Sequence, residues 1–103
     1  MHLKELREEI DKIDDELVHL FDARMKIAAR IAEYKQVNNL PVLDSSREQE
    51  KLQELSEKAG PEMSYYIRSL YAAIFELSRN YQNSLLNREF DLENGQINES
   101  HTL

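Results

Sequence analysis

From Met1 to Leu40 the chain contains neither glycine nor proline, and across that span apolar residues return at steps of three and four. Leu3, Leu6, Ile10, Ile13, Leu17, Leu20, Ile27, Ile31 and Tyr34 form one stripe, as one face of an amphipathic helix requires. With nothing local to break it, the pattern predicts a single helix from Leu3 to about Tyr34. At about 1.5 Å per residue this rod is roughly 50 Å long, whereas a compact domain of about 100 residues has a radius of gyration near 13 Å. The helix overshoots any globule the chain can build, and its stripe needs cover from elsewhere. One position breaks the register: the steps from Leu17 through Leu20 to Ile27 ask for an apolar residue where the sequence has Arg24.

The remainder supports an all-α fold class with three helices per chain: the long first one, a short second and a long third. The 103 residues suit one domain, and with 2 glycines, 2 prolines and 32% charged residues they lack the β-branched, turn-punctuated runs of a sheet protein. The first helix is expected to end between Gln36 and Asn39, where Asn38-Asn39 offers turn chemistry and Pro41 pushes Leu40 out of the helical region. Pro41 to Asp44 reads as a short extended connection. Asp44-Ser45-Ser46 then supplies three N-cap types, with Glu48 three residues after Ser45 as in a capping box. Leu52, Leu55 and Ala59 give the second helix a narrow apolar face, and Gly60-Pro61 closes it. The third helix is expected from Pro61 to Leu86, with a stripe of Met63, Ile67, Leu70, Ile74, Leu77 and Tyr81 widened by Tyr66, Tyr71 and Phe75. Residues 1–86 thus form the expected domain. Residues 87–103 read as a polar tail, either a frayed extension or a linker remnant.

Composition excludes several functions. There is no cysteine, hence no disulfide, no thiol catalysis and no cysteine-bound zinc. His2, His19 and His101 have no ligand spacing, so neither metal nor cofactor is expected. A formal charge of −7 argues against nucleic acid, which calls for a basic face. No apolar run approaches the ~20 residues of a membrane span, and the N-terminus has no signal-peptide core. The expectation is a soluble protein of the cytoplasm.

Against that acidic background a few polar residues stand on apolar faces. Arg24 is either an arginine that snorkels to the edge of a helix interface or a buried guanidinium that needs an anion, since an unpaired buried charge is costly. Lys35 follows eleven residues later, within about 20° of the same face and roughly 16 Å along the axis. It is either a dipole-complementing surface lysine or, with Arg24, one of two cations that bracket a small dianion. Arg7 has Glu8, Asp11 and Asp14 around it for surface ion pairs. It also lies about 25 Å along the helix from Arg24, too far for one copy to bring both onto one small ligand. Two antiparallel copies crossing near Leu17 to Leu20 could. A cap explains Asp44 and Glu48 without any ligand, whereas Arg47 in a first helical turn opposes the dipole. Ser78 and Gln82, one turn apart, border the apolar face of the third helix, where helix–helix hydrogen bonding is the ordinary use of such residues.

Taken together, these residues resemble the all-helical chorismate mutases, in particular the short bacterial type often found as the N-terminal domain of bifunctional enzymes. The resemblance starts at Leu6-Arg7-Glu8-Glu9-Ile10 and continues through Asp14, Leu17, Arg24 and Lys35. It resumes at Pro41-Val42-Leu43-Asp44-Ser45-Ser46-Arg47-Glu48, similar to the family's Pro-Val-x-Asp-x-x-Arg-Glu signature, and ends with Ser78 and Gln82. It covers roughly residues 3–86. What it implies is an intertwined homodimer of three-helix chains in which Arg7 enters the partner's site. The implied reaction is the Claisen rearrangement of chorismate to prephenate, on the route to phenylalanine and tyrosine.

That reaction is pericyclic and needs no nucleophile, metal or proton transfer. A site can hold the substrate in its folded conformer and stabilise charge on the breaking ether. By resemblance, Arg7 and Arg24 grip the two carboxylates with help from Ser78, while Lys35 and Gln82 point at the ether oxygen. Glu48, with Asp44 nearby, receives the ring hydroxyl, and Arg47 supports Glu48 and the site wall. An isochorismate-pyruvate lyase of the same fold is an alternative, as is a non-catalytic helical dimerisation module. The resemblance also admits another shikimate-pathway enzyme as a partner.

Overall fold

A computed structural model describes the backbone of residues 2–93 and the side chains of residues 2–88. Among the described residues there are three helices and no strand: α1 (Leu3–Val37), α2 (Ser45–Ala59) and α3 (Ser64–Glu93). The first residue and residues 94–103, which include most of the expected tail, lie outside them.

The helix ends follow local chemistry. α1 stops where Asn38 caps it: the Asn38 side chain donates to the Tyr34 carbonyl at 2.8 Å and its backbone N–H reaches the same oxygen at 3.1 Å. Asn39 then takes φ 56°, a left-handed conformation that asparagine tolerates better than most residues. Asp44 is the N-cap of α2, its carboxylate accepting from the Arg47 N–H at 3.0 Å. The capping box expected from Ser45 and Glu48 does not form. With the cap at Asp44, Glu48 sits one residue beyond the position a box requires, and its carboxylate is bonded elsewhere. Gly60, at φ 83°, ends α2 as its glycine suggested.

Two boundaries of α3 differ from expectation. The helix begins at Ser64 rather than Pro61, because the Gly60 carbonyl first closes a turn by accepting from Met63 and Ser64 N–H groups at 3.2 and 2.9 Å. It also runs to Glu93 instead of Leu86. Apolar periodicity fades after Leu86, but no glycine interrupts the backbone before Gly95, and loss of a stripe alone does not stop a helix.

α3 lies between the other two helices and packs on both, while α1 and α2 do not pack on each other. The seam with α1 is made of small residues. Ala28 and Ala32 are 6% and 1% exposed, and Phe75 on α3 is buried with its ring against Arg24. The apolar core of the described residues consists of these three side chains, very little for a chain of this length. The molecule is elongated, with extents of 59 × 32 × 19 Å and a radius of gyration of 17.7 Å. Its excess length is the N-terminal part of α1, which projects with Leu3, Ile10, Ile13, Leu17 and Leu20 all more than half exposed.

Candidate active site

Because α1 and α2 flank α3 without touching, a cleft opens between them with α3 as its floor. Its volume is about 290 Å³, at the small end of the range for small-molecule sites. Arg24, Ala28, Ile31 and Lys35 face it from α1, Arg47, Glu48 and Lys51 from α2, and Phe75, Ser78, Arg79 and Gln82 from α3; Val42 and Asp44 close the end.

Most polar groups in the cleft are held by a specific partner. Arg24 Nη1 donates to Ser78 Oγ at 2.9 Å, and its guanidinium carbon stands 5.6 Å from the Phe75 ring centroid, within cation–π range. Ser78 Oγ in turn points at Met25 Sδ, 3.7 Å away. Gln82 is 6% exposed, and its Nε2 donates to the Ala28 carbonyl at 2.8 Å. That bond needs α3 close to the α1 backbone, a proximity that Ala28 and Ala32 permit. Lys35 Nζ donates to the Val42 carbonyl at 2.8 Å, tying the connection after α1 back across the cleft end. Glu48 is bonded through both carboxylate oxygens to Arg79 Nη1, at 2.5 and 2.6 Å.

Seven of the eight candidates from the sequence therefore line one cleft: Arg24, Lys35, Asp44, Arg47, Glu48, Ser78 and Gln82. Arg7 does not. It lies on the exposed, projecting part of α1, about 25 Å from Arg24 along the axis. The partner of Glu48 also differs from expectation: it is Arg79, while Arg47 contributes its backbone N–H to Asp44 and leaves its side chain exposed. Two cations at the cleft, Arg79 and Lys51, were not singled out from the sequence. Arg79 falls four residues after Phe75 and three before Gln82, and Lys51 three after Glu48, so helical spacing to known members was the available signal.

The cleft gathers five cations, Arg24, Lys35, Arg47, Lys51 and Arg79, against the carboxylates of Asp44 and Glu48, in a chain whose formal charge is −7. Nearby charges dominate the field within about a Debye length, ~8 Å in physiological salt, so the site favours an anion despite the acidic surroundings. Its lining contains no histidine, cysteine or tyrosine, and the Ser78 hydroxyl sits beside a guanidinium, with no base to activate it. The arrangement suits recognition of an anion and charge stabilisation.

Comparison with known proteins agrees with this chemistry. The model of the family described as chorismate mutase type II matches residues 6–83. The chain belongs to that family. The match takes in Arg7, the whole signature around Asp44 and every residue of the cleft. A bifunctional chorismate mutase/prephenate dehydratase of Buchnera aphidicola subsp. Schizaphis graminum is 39% identical over 89 residues, 84% of this chain and 23% of that protein. A protein of the same description from Aquifex aeolicus is 52% identical over 48 residues, 47% of this chain and 13% of that protein. The T-protein of Haemophilus influenzae is 39% identical over 61 residues, 56% of this chain and 16% of that protein. The chain thus spans less than a quarter of the length of each of these relatives. No solved structure matches it significantly.

Proposed function

We propose that this chain is a chorismate mutase, converting chorismate to prephenate for phenylalanine and tyrosine biosynthesis. The observation that carries this is a cleft whose donors are fixed at one end and free at the other. A guanidinium has five N–H groups; Arg24 uses one on Ser78 and keeps others for a carboxylate fork. Gln82 uses one amide hydrogen on Ala28 and has a second to offer. Lys35 uses one of three ammonium hydrogens on Val42. Lys35 and Gln82 then stabilise negative charge on the ether oxygen as the C–O bond breaks and the new C–C bond forms within the same molecule. Arg24 and Ser78 hold one carboxylate, and Glu48 with Asp44 receives the ring hydroxyl. Arg47 lies at the rim. No covalent intermediate is needed, since the substrate rearranges once its side chain is held over the ring.

Chorismate carries a second carboxylate, and Arg24 with Ser78 accounts for one of the two. We assign the other to Arg7 of a second copy in an intertwined, cytoplasmic homodimer. The bare stripe of α1 and the three-residue apolar core support that assembly, since covering each half-exposed leucine or isoleucine contributes on the order of 1 kcal/mol.

Loss of chorismate absorbance on adding the protein, with prephenate identified as the product, tests the activity. Mixing tests the assembly. Arg7→Ala and Arg24→Ala proteins, each inactive alone, should regain about a quarter of native activity once subunits exchange, because half the dimers then carry one intact site of two. No recovery after subunit exchange would show that Arg7 does not enter the partner's site, and full activity of Arg7→Ala alone would place it outside any site.

A further inference from the structure

Glu48 and Arg79 form the one ion pair that joins two helices among the described residues, tying the α2 wall of the cleft to its floor. The other two pairs, Lys26–Asp22 and Lys51–Glu54, join neighbours one turn apart on a single helix. Glu48 lies in the first turn of α2 and Arg79 in the middle of α3, 31 residues apart in sequence. Both side chains are about three-quarters buried, and Arg79 Nη1 touches both carboxylate oxygens.

The other α2 glutamates are exposed, and where they are bonded it is to a neighbour on the same helix, Glu54 to Lys51 and Glu57 to Gln53. Glu48 is different. The Asp44 cap fixes its backbone, its N–H donating to the Asp44 carbonyl at 3.1 Å, and Arg79 fixes its carboxylate. Arg79 is itself anchored on the floor helix, one residue after Ser78 and three before Gln82, so Glu48 is registered against the floor residues that bond the α1 wall. Each carboxylate oxygen retains acceptor capacity after one hydrogen bond, so the pair can still take a hydroxyl.

We infer that Arg79 is a positioning residue that acts through Glu48, holding its carboxylate where the ring hydroxyl of chorismate arrives. The inference rests on the chorismate mutase function proposed above. Arg79 aligns an acceptor for the hydroxyl and does not itself grip a substrate carboxylate. Its loss therefore weakens transition-state stabilisation only while Glu48 is present.

A double-mutant cycle tests this, with Arg79→Met, Glu48→Gln and the double variant assayed on chorismate, and helicity and melting followed alongside. Methionine keeps most of the aliphatic stem, and Arg79→Lys serves as the second variant should Arg79→Met lose structure. Arg79→Met should lower kcat/KM roughly tenfold, as expected for uncoupling a charged hydrogen-bonded pair. In the Glu48→Gln background the same change should have less than about a twofold effect, and Arg79→Lys should recover part of the native rate. Equal losses in both backgrounds would overturn the role and make Arg79 either a direct ligand or a packing residue. A native rate for Arg79→Met would overturn it too. If the unaltered protein left chorismate unchanged, the function itself would fall, and the positioning role with it.

Discussion

The two halves of α1 carry the same apolar spacing and meet different fates. From Arg24 to Lys35 the helix lies on α3, buries Ala28 and Ala32, and presents two cations to the cleft. From Leu3 to Phe21 it carries Leu6, Ile10, Ile13, Leu17 and Leu20 with no apolar side chain buried. The difference lies in side-chain size. Alanines at the α3 seam let two backbones approach within reach of the Gln82 amide, whereas the N-terminal half has only large branched residues and nothing in its own chain to receive them. One half lines the cleft, and the other leaves its apolar stripe exposed, the face the proposed homodimer would cover.

Breaking the N-terminal half should have the largest effect. In the proposed homodimer Leu17→Asp would place a charge in each copy of a symmetric seam and should raise the dimer dissociation constant by on the order of 10³, about 2 kcal/mol from each copy. Sedimentation should show monomer, and chorismate turnover should vanish. If Leu17→Asp left a fully active protein, the projecting half would have no part in assembly.

Breaking the C-terminal half should abolish chemistry and leave assembly intact. Arg24→Ala should lower kcat/KM by roughly 10²–10³, and Lys35→Ala should lower kcat by roughly 10², both with the native sedimentation coefficient. A near-native rate for Lys35→Ala would remove it from the site.

A subtler probe sits where the C-terminal half meets α3. Gln82 donates to Ala28 from a buried position, and a neutral amide does so at any pH, so the native rate should be flat across neutral pH. In Gln82→Glu, burial and the Ala28 carbonyl oxygen both disfavour the ionised carboxylate and push its pKa up. That variant should be nearly inactive at pH 8 and regain rate as the pH falls and the group becomes a donor. A flat profile for Gln82→Glu would contradict the geometry.

The smallest effect is expected at the boundary between the halves. The Lys26 pKa is raised, first by its hydrogen bond to Asp22 and then by the carboxylate's charge. A raised folded-state pKa means its contribution to stability is present at neutral pH and lost only above the ordinary lysine range. The pair is exposed and one helical turn long, so Lys26→Ala should leave melting at pH 7 almost unchanged. A large destabilisation would show that the partner copy covers this surface.

Much of this molecule is legible without coordinates, for reasons that can be named. Helix existence and most ends depend on neighbours within one turn, and Asp44, Gly60 and the Asn38-Asn39 pair are read by the backbone beside them. Where expectation erred, a nearby competitor was misjudged. Glu48 fell one residue outside the capping box, and α3 continued past Leu86 because helix propensity outlasts apolar periodicity. Most of the candidate site was legible through the resemblance of its residues to the family's pattern, since spacing alone left each of them open, whereas Arg79 resembles a surface arginine until its partner on another helix is known.

The sequence by itself determined three helices, an apolar stripe longer than the chain can cover, and an arginine in that stripe which either snorkels to an edge or needs a partner. Tertiary structure decided what the stripe could not state. Arg24 meets Ser78 and Phe75, Gln82 meets Ala28, and Glu48 meets Arg79, across 31 to 54 residues of chain. Helical periodicity orients each residue about its own axis, but the distance between axes is set by which side chains interleave. Here small alanines on one side of α3 and an ion pair on the other set that distance, and with it the width of the cleft.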